Sequence, residues 1–82
     1  MPSPLVQRTY RTGDGELTIS IGAPRPEGGD WFCDVTTTGA EETQLPVGGV
    51  DAWQALRLAI HAADAIITAH PGATCDGIPG AF

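Results

Sequence analysis

Apolar residues recur along this chain with two different periods, and the change of period falls near residue 50. In ELTISIG (16–22), Leu17, Ile19 and Ile21 alternate with Glu16, Thr18 and Ser20, a period of two that predicts a strand with one buried face. Gly13-Asp14-Gly15 just before it is turn chemistry, since glycine takes positive φ without steric cost. Together with the Val-, Tyr- and Thr-bearing stretch 5–12, this predicts a hairpin over residues 5–22. APRPEGG (23–29) holds two prolines and two glycines and is expected to be an irregular loop. Alternation resumes over 30–38, with Trp31, Cys33, Val35 and Thr37 against Phe32, Asp34, Thr36 and Thr38. A turn at 39–42 then leads to a short strand, TQLPV (43–47). Pro46 has no N–H to donate, so that strand belongs at a sheet edge or ends there.

After Val50 the period becomes helical. A helix is predicted over 51–69, with Asp51 as N-cap, Gln54 as its capping-box partner, and Pro71-Gly72 at its end. Trp53, Leu56, Ile60, Ala63 and Ile67 make one apolar stripe, with Trp53 and Leu56 expected to pack. Ala55, Leu58, Ala62, Ala65 and Ala69 make a second stripe of smaller side chains, whose alanines allow close approach by a sheet or by another helix. Gln54, Arg57, His61, Asp64 and Thr68 make the polar stripe, expected to face solvent. Well over half the circumference is apolar, more than one thin sheet covers. The face carrying Ala55, Leu58, Ala62 and Ala65 is therefore the expected self-association surface of a homodimer. The segment 71–82 is too rich in Gly and Pro for a helix and is expected to be irregular, with Ile78 and Phe82 available to tuck against the core. These elements predict an α+β fold of one domain spanning 1–82. Its antiparallel sheet has three to four strands, with one helix packed on one face in the order β-β-β-β-α.

Charge sharpens this picture. Ten acids stand against four bases, all arginine, for a net charge of −6. Asp14, Glu16, Glu27, Asp30, Asp34, Glu41 and Glu42 fall in one stretch, 13–42, with Arg25 as its only base. Direct nucleic-acid binding is excluded as a leading reading, because phosphate contacts need a basic surface. The same seven acids are the candidate contact residues for a basic protein or nucleoprotein partner; solubility is the plainer use of the charge. Arg57, His61 and Asp64 interrupt the one long apolar run, so no membrane span is expected. MPSPLVQRTY lacks a cationic start followed by an apolar stretch, which makes cytoplasmic location with reduced thiols the expectation.

Little in the chain supports catalysis. Ser20 lies in Ile-Ser-Ile without a G-x-S-x-G elbow. Cys33 alternates with core residues, the usual position of an inert thiol, and Cys75 lies beside Asp76, which raises its pKa; whether the two cysteines pair is left open by the sequence. His61 and Asp64 share a helical face, and with His70 and a cysteine they define an alternative, a small metal-dependent enzyme. Neither C-x-x-C nor H-x-x-x-H occurs, so neither a metal nor another cofactor is expected.

IGAPRP (21–26), GDWFC (29–33) and GVDAWQALRLA (49–59) together resemble a family of small bacterial proteins classed only as a domain of unknown function. Its pattern runs Ile-Gly-x-Pro-x-Pro, Gly-Asp-Trp-x-Cys and Gly-Val-Asp-Ala-x-Gln-Ala-Leu. The likeness covers about residues 17–65, implies the order strand, loop, strand, helix, and carries no catalytic residue. In size and charge alone the chain is also similar to small acidic phage-borne inhibitors, anti-CRISPR proteins among them. The leading expectation is thus a non-enzymatic inhibitor that docks its acidic surface on a basic nucleic-acid-binding partner. The other alternative is a dimeric structural or immunity-type module.

Overall fold

The computed structural model describes residues 4–13, 15–70 and 72, together with the backbone of residues 74–75 and 78–79. Its elements run β1 (Val6–Thr12), β2 (Gly15–Ile21), β3 (Arg25–Glu27), β4 (Asp30–Gly39), β5 (Thr43–Gly49), α1 (Ala52–Thr68), β6 (Thr74–Cys75) and β7 (Ile78–Pro79). The sheet is antiparallel throughout. β1 pairs with β2, β2 with β4, and β4 with β5, a meander with α1 across one face. The α+β class, the four longer strands and the helix follow the sequence pattern.

The alternating residues separate as their period requires. Leu17, Ile19 and Ile21 of β2 and Cys33, Val35 and Thr37 of β4 are buried together with Tyr10, Ala55, Ala59 and Ile67. Trp31, Val47, Leu56 and Ile66 pack around this core, half-buried. Thr37 is the one polar member, and its hydroxyl is satisfied by Thr43 Oγ1 at 2.7 Å and by the Thr43 N–H at 3.0 Å, as a buried hydroxyl requires. Among the described residues, the opposite face of the sheet carries only exposed and half-buried side chains, including Thr9, Thr18, Ser20, Phe32, Asp34, Thr36 and Gln44.

One hydrogen bond explains where the chain tolerates its prolines. The Gly22 N–H donates to the Asp34 carbonyl at 2.9 Å, so even-numbered residues of β4 turn their backbone groups toward β2 and β3. Odd-numbered residues turn theirs toward β5, because the two sides alternate along a strand. Pro46 lies opposite Asp34 and Pro26 opposite Trp31. In both pairs the partner's backbone groups face away, and the missing N–H costs the ladder nothing. This corrects the expectation of an irregular loop over 23–29: β3 pairs Arg25–Glu27 with Phe32–Asp30, and Gly28 and Gly29, at φ 61° and 91°, make the tight turn between them. It also lets β5 run past Pro46 to Gly49 as an edge strand. The segment expected to be irregular after residue 71 contains two two-residue strands, β6 joining β1 at Arg11–Thr74 and β7 joining β6. The expected contacts of Ile78 and Phe82, the side chain of Cys75, and the helix stop at Pro71 lie outside the described residues.

The helix begins as predicted. The Asp51 carboxylate accepts from the Gln54 N–H at 2.8 Å, and Gln54 Oε1 accepts from the Val50 N–H at 2.8 Å, one residue before the position a strict capping box would use. At its far end His70 Nε2 meets Glu41 Oε1 at 2.8 Å, tying α1 to the β4–β5 turn. The helix turns alanines to the sheet, one of the two placements open to them, and the expected packing of Trp53 is corrected. Ala55 and Ala59 are fully buried, whereas Trp53 is 80% exposed and Ile60 45% exposed. The helix sits so close over β5 that a Cβ on Gly49 would lie 2.5 Å from the Ala55 nitrogen. Only small side chains fit beneath it there, so Trp53 and Ile60 of the bulky stripe point outward, while Leu56 is half-buried and Ile67 is buried farther along the helix. Ala55 therefore cannot serve the self-association face assigned to Ala55, Leu58, Ala62 and Ala65. Leu58 and Ala62 are half-buried, and only Ala65 is exposed.

Candidate functional site

The acids of the 13–42 stretch do not form one patch. Glu27, Asp30 and Asp34 lie around the β3–β4 turn, while Glu16, Glu41 and Glu42 lie at the opposite end of β4. There the Ala40 N–H donates to the Glu16 carbonyl at 2.8 Å. Nine strand steps separate the ends, roughly 30 Å. Glu41 is engaged by His70. Glu16 and Glu42 are exposed, and Asp14 lies outside the described residues.

The cluster at the β3–β4 end is organised around Arg25. Its guanidinium donates to Asp34 Oδ2 at 2.7 Å and to Glu27 Oε2 at 3.4 Å, and it stands 5.9 Å from the centre of the Phe32 ring, within cation–π range. The hydrogen bond to Asp34, aided by Glu27, pushes the Arg25 pKa above its ordinary value, so it remains a fixed cation. Register explains the convergence: Arg25 pairs with Phe32 and Glu27 with Asp30, which puts all four on the face away from the helix, the face Asp34 also occupies two residues on. Across the next strand Gly48 pairs with Phe32 and leaves room for its ring, which an added Cβ would meet at 3.2 Å.

Glu27 and Asp30 are like charges directly opposite one another across a tight turn, an arrangement that costs stability. Arg25 reaches Glu27 but makes no ion pair with Asp30 among the described residues. Trp31 pairs with Gly49, so Asp51, exposed at the head of α1, belongs to the same end of the molecule. Four carboxylates against one arginine make this the most acidic end of the sheet.

Other candidate chemistry is dispersed. Cys33 is fully buried and its thiol donates to the Gly22 carbonyl at 2.9 Å. Burial pushes its pKa up, the Asp34 carboxylate adds to this, and Arg25 opposes it, the reverse of an activated nucleophile. His61 and Asp64 are exposed one turn apart on α1, and Arg57, His61 and Asp64 form no ion pair with one another among the described residues. Nor do three His, Cys, Asp or Glu side chains there converge on a point that could hold a metal ion. No described helix is long and apolar enough to cross a membrane.

A second feature lies on the helix side. Because α1 covers β4 and β5 more than β1, it leaves a cleft of about 250 Å³ between Ile60, Ala63 and Ile67 on one wall and Val6, Tyr10 and Ile21 on the other. Asp64 and Arg8 also line it. The pattern of the sequence did not single out this cleft, nor the exposure of Trp53. The tie made by Arg25 was foreshadowed, since it is the lone base in the acidic stretch.

A family model described as a domain of unknown function (DUF6968) matches residues 6–74. No curated protein and no solved structure matches the chain.

Proposed function

The chain belongs to the DUF6968 family, and we propose that it is a non-enzymatic binding module that presents the carboxylates of the β3–β4 end to a basic protein partner. The observation that carries this reading is the Glu27–Asp30 pair. Two like charges held face to face at an exposed hairpin weaken the fold, and positions that break a local rule without structural return are where function is expected. Arg25 anchors Glu27 and Asp34 in fixed positions, which reduces the ordering cost of contacting them.

In its sharper form the proposal is an inhibitor acting in the cytoplasm, whose acidic end occupies a basic nucleic-acid groove on its target, in the manner of small acidic phage-borne inhibitors. Charge complementarity of this kind speeds encounter and is screened by salt. Capture from a bacterial lysate on immobilised protein tests it. The expected result is a nucleic-acid-handling protein or complex that binds at low salt and elutes as salt is raised. Binding that persists unchanged at high salt would sink the inhibitor reading.

A further inference from the structure

We infer that α1 pairs antiparallel with α1 of a second copy of this chain. In this dimer Trp53 of each protomer sits in the cleft of the other, and Arg57 of each pairs with Asp64 of the other. The surface is separate from the β3–β4 carboxylates, on the opposite face of the sheet, and the inference stands independently of the binding proposal.

Three observations commit the exposed side of α1 to a second copy. The first is the order of residues along it. Trp53, Arg57, Ile60 and Asp64 follow one another at spacings of four, three and four, all exposed. They form a single narrow line pointing away from the sheet. Read in opposite directions about a twofold axis at Ile60–His61, this line complements itself: Arg57 falls level with Asp64, Ile60 with His61, and Trp53 with Thr68, beside Ile67. A twofold interface needs this self-complementarity. The second is charge. Neither Arg57 nor Asp64 has an ion-pair partner among the described residues, and the line they share is neutral. The acidity of the protein therefore does not oppose pairing there.

The third is fit. Trp53 is the most exposed large apolar side chain described, at 80%, left largely uncovered among the described residues. The cleft beside Ile60, Ala63 and Ile67 is about 250 Å³, below the usual range of small-molecule pockets yet roomy enough for one aromatic ring. Its wall is built from the helix turns that the antiparallel register brings opposite the partner's Trp53. A buried tryptophan at the centre of an apolar pocket is the usual anchor of an interface.

Sedimentation equilibrium over a wide concentration range tests the pairing. The expected result for the wild type is a reversible monomer–dimer equilibrium. Trp53→Ala is expected to weaken it by roughly 1,000-fold, about 30-fold for each of the two aromatic anchors the dimer loses, without loss of helicity, because the side chain is exposed in the monomer. Arg57→Asp and Asp64→Arg are each expected to weaken it, and the double variant Arg57→Asp/Asp64→Arg to restore it. A strict monomer at every concentration overturns the inference and leaves the stripe to a different protein. It is equally overturned by a dimer indifferent to Trp53→Ala, or by a double variant no stronger than either single one.

Discussion

At Gly39 a backbone requirement and a packing requirement coincide. Its φ is 95°, and a Cβ there would collide with the Glu16 carbonyl oxygen on the neighbouring strand. Gly28 also has positive φ, 61°, but nothing lies within 4 Å of where its Cβ would be. Gly39→Ala is therefore expected to cost about 3 kcal/mol or more, and Gly28→Ala about 1 kcal/mol, since only the first adds a clash to the strained backbone. Urea unfolding of the two variants measures the difference. Equal losses would mean that the close approach of β2 to β4 at Gly39 is not rigid. Cys33 gives a second residue-level expectation. Its pKa is raised in the folded protein, so above the ordinary thiol value of 9.0 the unfolded chain releases a proton that the native chain keeps. Stability supplied by the neutral thiol is complete below that pH and falls as pH rises toward the folded pKa. The alkaline decline of unfolding free energy should be shallower in Cys33→Ala than in the wild type. Identical slopes would show that the thiol does not titrate with unfolding.

Among the elements, α1 shows both what patterning determines and what it leaves open. Its start was legible because a cap is local chemistry: Asp51 and Gln54 are three apart, and both side chains engage orphan N–H groups. Asp51→Ala should cost about 1 kcal/mol and Asp51→Asn much less, because asparagine caps nearly as well. Thermal unfolding distinguishes them, and equal losses would mean that charge rather than capping matters. The rotation of the helix was legible only in part, because alanines suit close approach by a sheet and by another helix alike. Trp53, Leu56, Ile60, Ala63 and Ile67 form the more hydrophobic stripe, so hydrophobicity alone favours burying them. In the first turns Gly49 overrides that preference by bringing the sheet against Ala55, leaving Trp53 exposed although Ile67 is buried, and that closeness depends on two segments meeting in space. The strands divide in the same way. Alternation identified the buried sides of β2 and β4, but β3 was hidden because prolines read as breakers until the direction of the Asp34 carbonyl is known.

Over the whole molecule, charge and apolar surface are segregated. The sheet face away from α1 bears Glu27, Asp30 and Asp34 with Arg25, the far end bears Glu16, Glu41 and Glu42, and the helix side bears Trp53 and the cleft. The composition announced an acidic stretch but not its division, because residues close in sequence along an extended strand lie far apart in space. What unites Glu27, Asp30 and Asp34 is the β3–β4 turn and the reach of one arginine. The claim that this end serves a partner rather than the fold is tested most directly by Glu27→Gln/Asp30→Asn, which removes the opposed charges, compared with the wild type as bait in a bacterial lysate. The expected result is a variant that unfolds no more easily than the wild type, yet fails to retain the salt-sensitive partner. A variant that captures the same protein to the same extent would contradict it.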